Sequence, residues 1–295
     1  MSTTSIIRPS LEECLPTVSI PYIDVHGIRE DVLKLILPNR KGFSPGNVLF
    51  NSMHGLGKSL LAQTLAVEAA RVLKTPVPMV IVEGSEDTRE YHLRGSNTQM
   101  SDGSTGFVLG PLPLAIDLAN EAGFCILNVE EISKLPPGTQ GQFNSMTDWR
   151  RSVSIPQLGR QFRLNAGCHV VTVASMNPSQ YGGVYNLNTD LRSRFNEYVI
   201  PLPDLKQEAR ILRAVCPWVD QAQVERCCML AQSSRTDATE YKISTRDLVQ
   251  LLQNIEVLGN DKAPLQLLAN KFEEGNERDL IRDRINATFA GVRVH

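Results

Sequence analysis

The chain has 295 residues with Lys+Arg 30 against Asp+Glu 32, a formal net charge of −2, 42% hydrophobic and 21% charged. That is globular composition, long enough to bury a core without disulfide or metal support, and the charge balance argues against a chain that coats nucleic acid. No segment approaches the ~20 uninterrupted apolar residues of a membrane helix, and the start has no basic region followed by a long apolar run, so a soluble cytoplasmic location is expected.

Residues 1–21 read as an N-terminal extension. From about residue 47 to 202, short apolar or β-branched runs alternate with helical stretches: Val48–Phe50, Met79–Val82, Cys125–Leu127, Val170–Val173 and Tyr198–Ile200. Alternation of this kind predicts a parallel α/β sheet. Leu61, Leu65, Ala69 and Val72 recur at helical spacing after the first run, which places them on one face packed against that sheet. Two hairpins are expected, at 104–109 and 151–164, the second from the alternation of Val153, Ile155, Phe162 and Leu164. The division is thus an α/β core at 22–204 and a helical subdomain at 205–295, with helical patterns near 205–215, 220–232, 246–257 and 265–285.

The most specific segment joins the first run to the first helix: Asn47-Val48-Leu49-Phe50-Asn51-Ser52-Met53-His54-Gly55-Leu56-Gly57-Lys58-Ser59. Strand, glycine turn, Lys-Ser and helix form a phosphate loop, in which His54, Gly55, Leu56, Gly57, Lys58, Ser59 and Leu60 would cradle an anion. Lys58 would reach the β- and γ-phosphates, and the Ser59 hydroxyl would ligate Mg²⁺. Ser52 stands where this pattern has its first glycine, so an altered start to the loop is expected.

Phe124 to Glu131 is an apolar strand closed by two carboxylates. Glu130 is placed to hold Mg²⁺ through water, and Glu131 to orient and polarise an attacking water. Glu130 occupies a position where Asp is usual, which makes hydrolysis less firmly implied than binding. Asn177 ends the next strand, where a neutral amide can bond the γ-phosphate and the water. Arg192 and Arg194 precede the last strand and suit charge stabilisation, in trans if supplied by a neighbouring subunit. Arg246 opens a helix capped by Ser244 or Thr245 and is positioned to reach over the nucleotide. Arg150, Arg151, Arg160 and Arg163 cluster around the second hairpin and read mainly as a solvated face. The six cysteines show no CxxC spacing and read as reduced structural thiols; with the scattered histidines, they offer no zinc site.

In order and content these motifs resemble the AAA+ ATPases, and among them the MoxR group, closest to its CbbQ/NorQ-like members. HGLGKS, DGSTGFVLGPLPLAI, ILNVEEISKLPPGTQGQF and NPSQYGGVYNLNTDLRSRF carry the resemblance, which spans roughly residues 22 to 255. It implies a P-loop NTPase: a three-layer αβα core with a parallel sheet, followed by a small all-helical lid. Lys58 and Ser59 match Walker A, Glu130 and Glu131 Walker B, Asn177 sensor 1, Arg194 the arginine finger and Arg246 sensor 2. The resemblance further implies ATP and Mg²⁺, a homo-oligomeric and often hexameric ring, and a chaperone-like remodelling activity on a protein target through a von Willebrand A domain partner. Two other readings stay open: an ATP-gated assembly module with weak or no hydrolysis, motivated by Ser52 and Glu130, and a nucleic-acid motor, which the charge balance disfavours.

Overall fold

The computed structural model describes residues 5–39, 42–178, 185–236, 239–259 and 261–289. The chain divides into two compact units, Met1–Ser19 with Gly27–Ser52 and Lys58–Ile200, and Ile20–His26 with Met53–Gly57 and Pro201–His295.

In the first unit the order is β1 (Ser5–Ile7), α1 (Ile28–Ile36), β2 (Val48–Asn51), α2 (Lys58–Leu73), β3 (Met79–Glu83), α3 (Glu90–Arg94), β4 (Gly95–Gln99), β5 (Thr105–Leu109) and α4 (Pro111–Ala122). It continues with β6 (Phe124–Glu130), α5 (Pro137–Gln140), α6 (Asn144–Thr147), β7 (Ser152–Ile155), β8 (Arg160–Arg163), β9 (His169–Met176), α7 (Thr189–Arg192) and β10 (Asn196–Val199). The central sheet has the order β10-β2-β9-β6-β3, and every pairing in it is parallel. Its middle strands are apolar on both faces, as a sheet covered by helices requires: Val48, Leu49, Phe50, Ile126, Leu127, Val171 and Val173 are fully buried.

Three details depart from the sequence expectation. Leu61, Leu65 and Ala69 are buried, but Val72 is 58% exposed, one residue short of the helix end. The hairpin expected at 104–109 is larger: β4 and β5 pair antiparallel, and β1, from the N-terminal segment, adds in parallel to β5. β4 reads Gly-Ser-Asn-Thr-Gln, a polar run without the alternation that signals a strand. The other hairpin forms where expected, pairing β7 with β8 and burying Val153, Ile155 and Phe162. The arginines around it do not share one face. Arg151 turns inward to donate to Asn47 Oδ1 and the Val170 carbonyl, Arg160 lies over the Phe162 ring, and Arg150 pairs with Asp148.

The second unit is helical among its described residues: α8 (Leu205–Val215), α9 (Gln221–Ser234), α10 (Thr245–Leu258), α11 (Lys262–Ala269) and α12 (Asn276–Thr288). The single pattern expected at 265–285 is two helices. Asp204 and Ser244 start α8 and α10 with reciprocal capping boxes, closed by Gln207 and Asp247. Leu212, Leu248, Phe272, Ile281 and Ile285 fill the core. Within it Glu208 is fully buried and meets Arg235 at 2.5 Å, while its other oxygen accepts the Thr245 hydroxyl. Cys227 and Cys228 are buried and free, and burial pushes both thiols up to about 12, so neither supplies a thiolate. No helix among the described residues is long and apolar enough to cross a membrane.

Removing one partner of a buried ion pair strands the other charge, at a cost of about 3–5 kcal/mol. Glu208→Ala is therefore expected to lower stability by that order, read as a fall in the denaturation midpoint of the helical signal.

Candidate nucleotide-binding site

The Asn51-Ser52 end of β2 and the Lys58 start of α2 belong to the first unit, while the intervening Met53–Gly57 groups with the second. In the first unit, Lys58 is only 8% exposed, and its Nζ donates to the Ser52 carbonyl at 2.7 Å and to Asn177 Oδ1 at 2.8 Å. Asn177 in turn donates through Nδ2 to Glu131 Oε2 at 2.8 Å. Three residues expected to act together are thus joined in one line, from the start of α2 to the end of β9 to the end of β6. A buried ammonium needs such partners, because desolvated charge is costly without them.

Parallel order explains the convergence. β2, β9 and β6 are adjacent and run the same way, so their carboxyl ends lie side by side, where ligands of open α/β sheets bind. Glu130 ends β6, and its Oε1 accepts from Asn128 Nδ2 at 3.1 Å. Ser52 does not disturb the loop start. The described non-glycine residues with positive φ are Lys74, Glu131 and Arg151, so position 52 makes no demand for glycine. Its N–H donates to the Met176 carbonyl, and its carbonyl receives Lys58.

Residues 53–57 are set by their own unit. Gly55 and Gly57 have φ of 73° and 81°, the left-handed region that favours glycine. A Cβ on residue 55 would overlap the Ser244 hydroxyl, and the Gly55 carbonyl accepts from the Arg246 N–H at 3.2 Å. Arg246 is exposed, and its Cβ lies 3.2 Å from where a residue-55 Cβ would stand. The first turn of α10 therefore rests on the glycine turn, with the His54 and Tyr241 rings 5.7 Å apart beside it. Ser59, Leu56 and Leu60 are partly buried.

The two late arginines are held within the chain. Arg192 makes a bidentate pair with Glu197 at 2.8 and 2.9 Å, and Glu197 also accepts from Asn51 Nδ2 just before the loop. Burial raises the Glu197 carboxyl, but the bonds from Asn51 and Arg192 outweigh it and hold the group below the usual carboxylate range. Arg194 reaches Asp190 at 3.1 Å and Asp148 at 3.5 Å. Sequence reading missed Glu197, Asp148, Asn128 and Ser175, since isolated polar residues in strands and turns give no spacing signal. Tyr181 and Gly182-Gly183 lie outside the described residues; Tyr185 bonds its N–H to the Ser133 carbonyl. Among the described residues no group of three or more His, Cys, Asp or Glu is placed to hold a metal. Magnesium at a phosphate site takes only one or two protein ligands beside phosphate and water, which Ser59 and Glu130 fit.

The AAA domain profile of the dynein-related subfamily matches residues 47–195, from the phosphate loop through the late arginines. The chain belongs to this AAA family. Members have a P-loop core, generally bind ATP with Mg²⁺ and typically oligomerise. An uncharacterised protein of Staphylococcus aureus (strain NCTC 8325 / PS 47) is 25% identical over 252 residues, covering 82% of this chain and 90% of its own. A Staphylococcus haemolyticus (strain JCSC1435) protein aligns to the same extent. Among solved structures, the Orc1 protein of Aeropyrum pernix in complex with DNA is similar at a TM-score of 0.53 and 18% identity, covering 90% of this chain and 66% of that one. At that identity the likeness is one of fold.

In this AAA chain the support under Arg246 is titratable. Asp247 accepts from the Ser244 N–H and hydroxyl, from Tyr241 and from Lys271 at 2.6 Å. Burial pushes its carboxyl up, but the bonds from Lys271 and Ser244 prevail and hold it below the ordinary value of 3.8. A depressed folded-state pKa stabilises the fold above the unfolded value and loses that stabilisation as pH falls through the folded one. Denaturant midpoints should therefore drop as pH is lowered past 3.8, and Asp247→Asn should remove much of that acid dependence.

Proposed function

We propose that this chain is an ATP-hydrolysing subunit of an oligomeric ring, akin to the CbbQ/NorQ-like members of the MoxR group, that remodels or activates a protein target. The line from Lys58 through Asn177 to Glu131 carries this reading. It connects a cation suited to the β- and γ-phosphates, an amide suited to the γ-phosphate, and a carboxylate suited to taking a proton from water. The start of α2 and the ends of β9 and β6 supply them as one rigid set, the preorganisation that hydrolysis needs.

His54, Gly55, Leu56, Gly57 and Leu60 would frame the phosphates with backbone N–H groups, and Ser59 and Glu130 would hold Mg²⁺, an ion that would neutralise charge on the phosphate oxygens. Glu131 orients the water and accepts its proton, while Asn177 fixes that carboxylate. Arg246, beside Gly55 in its own unit, takes the sensor 2 role that the resemblance implies. Arg194 acts on the nucleotide of the adjacent subunit, exchanging Asp148 and Asp190 for phosphate; that exchange makes turnover depend on assembly. The net charge of −2 favours a protein target, engaged through a von Willebrand A domain partner as the resemblance implies.

The test combines native mass, with and without ATP, and phosphate release. Wild type should assemble with ATP and release phosphate. Lys58→Ala should lose ATP binding, Glu131→Gln should bind ATP with turnover reduced about 10²–10⁴-fold, the range of a lost general base, and Arg194→Ala should bind ATP without turning it over. Assembly with no turnover would favour the ATP-gated module that Glu130 suggests, and wild-type turnover by Glu131→Gln would displace it as the base.

A further inference from the structure

Glu131 is held by its backbone as well as by its carboxylate. Strand β6 ends at Glu130, paired with Glu83 of β3, and the ladder runs one bond further as the Gly84 N–H donates to the Glu130 carbonyl at 2.8 Å. Immediately afterwards Glu131 turns into the left-handed region at φ 51° and ψ 46°. This conformation is unfavourable for a residue with a Cβ and persists only where the surroundings fix it.

Those surroundings lie on both sides. β6 lies between β9 and β3 in the sheet. From β9, Ser175 Oγ accepts the Glu131 N–H at 3.4 Å. Beyond β3, Gly84 lies directly against the Glu131 peptide. A Cβ on Gly84 would overlap the Glu131 carbonyl oxygen and lie 2.8 Å from its carbon and 2.9 Å from the Glu130 carbonyl oxygen. All three atoms are backbone, so no flexible side-chain end is available to move aside. With Gly84 in place, the carboxylate reaches Asn177 Nδ2 at 2.8 Å.

We propose that Gly84 is a positioning residue for Glu131, its missing side chain admitting the left-handed turn that aims the carboxylate at Asn177, with Ser175 steadying the same peptide from the opposite side. The proposal rests on Glu131 being the general base. A methyl group at 84 displaces the Glu131 carbonyl, rotates the peptide and moves the carboxylate off its line, while leaving Lys58, Ser59 and the glycine turn untouched. The signature is a loss of turnover without a loss of binding, since misplacing a reacting group by about 1 Å costs roughly 10²-fold.

The experiment uses the full chain as Gly84→Ala, Ser175→Ala and Glu131→Gln beside wild type, with phosphate release, equilibrium binding of a fluorescent ATP analogue and thermal melting. Gly84→Ala should lower kcat by about 10- to 100-fold with KM and the analogue's Kd within about threefold. Ser175→Ala should show the same split with a smaller drop. A folded Gly84→Ala with wild-type kcat, or with binding and turnover lost together, overturns the proposal. Should Gly84→Ala not fold, Ser175→Ala decides: reduced kcat with intact binding supports the clamp, and unchanged kcat overturns it. Failure of the underlying reading is separately visible as wild-type turnover in Glu131→Gln, and overturns both.

Discussion

A buried ammonium without partners would not be tolerated in this fold. Lys58 begins α2 in an environment almost closed to water, and its charge is acceptable because the Ser52 carbonyl and Asn177 oxygen meet it. Meeting it from those two directions ties the end of β2 and the end of β9 to the start of α2. Asn177 then has its amide hydrogens free to point at Glu131. The need to satisfy one cation therefore orders the carboxylate as well, through the same bonds that make the lysine tolerable.

The sheet is what allows this. Five parallel strands place their carboxyl ends along one edge, and the strands that bring Ser52, Asn177 and Glu131 are neighbours there. Their middle residues are apolar and provide the rigid layer, while the polar residues collect past the last ladder bonds. Glu131 stands one residue beyond β6, in the left-handed conformation that lets it turn aside from the strand direction. The helical unit shows a comparable economy: the capping box that starts α10 also brings Ser244 and Arg246 against Gly55.

The arginines show how one residue type takes different work from its surroundings. Arg235 is buried against Glu208 and serves the core of the helical unit. Arg151 is turned inward onto backbone and amide oxygens. Arg192 and Arg194 hold carboxylates at the border of the sheet, and Glu197 links the first of them to Asn51 beside the phosphate loop. Arg246 alone of these lies beside the glycine turn within its own unit.

Sequence alone determined the parallel α/β core, the phosphate loop, the two adjacent glutamates and the polar strand end at Asn177, because each is a local pattern: a run of apolar residues, a glycine spacing, a charge following a strand. Local pattern also offered Ser244 as one of two candidate caps for α10. Only tertiary structure decided that β4 is a strand and that β1 joins it through β5, since those residues pair by backbone bonds and leave no alternation to read. It likewise decided that Val72 faces water, that Arg151 points inward, that Ser52 suits its place and that Gly84 lies against Glu131. Each of these depends on which residues distant in the chain arrive as neighbours, and close approach between backbones is a property of packing that no spacing along the sequence records.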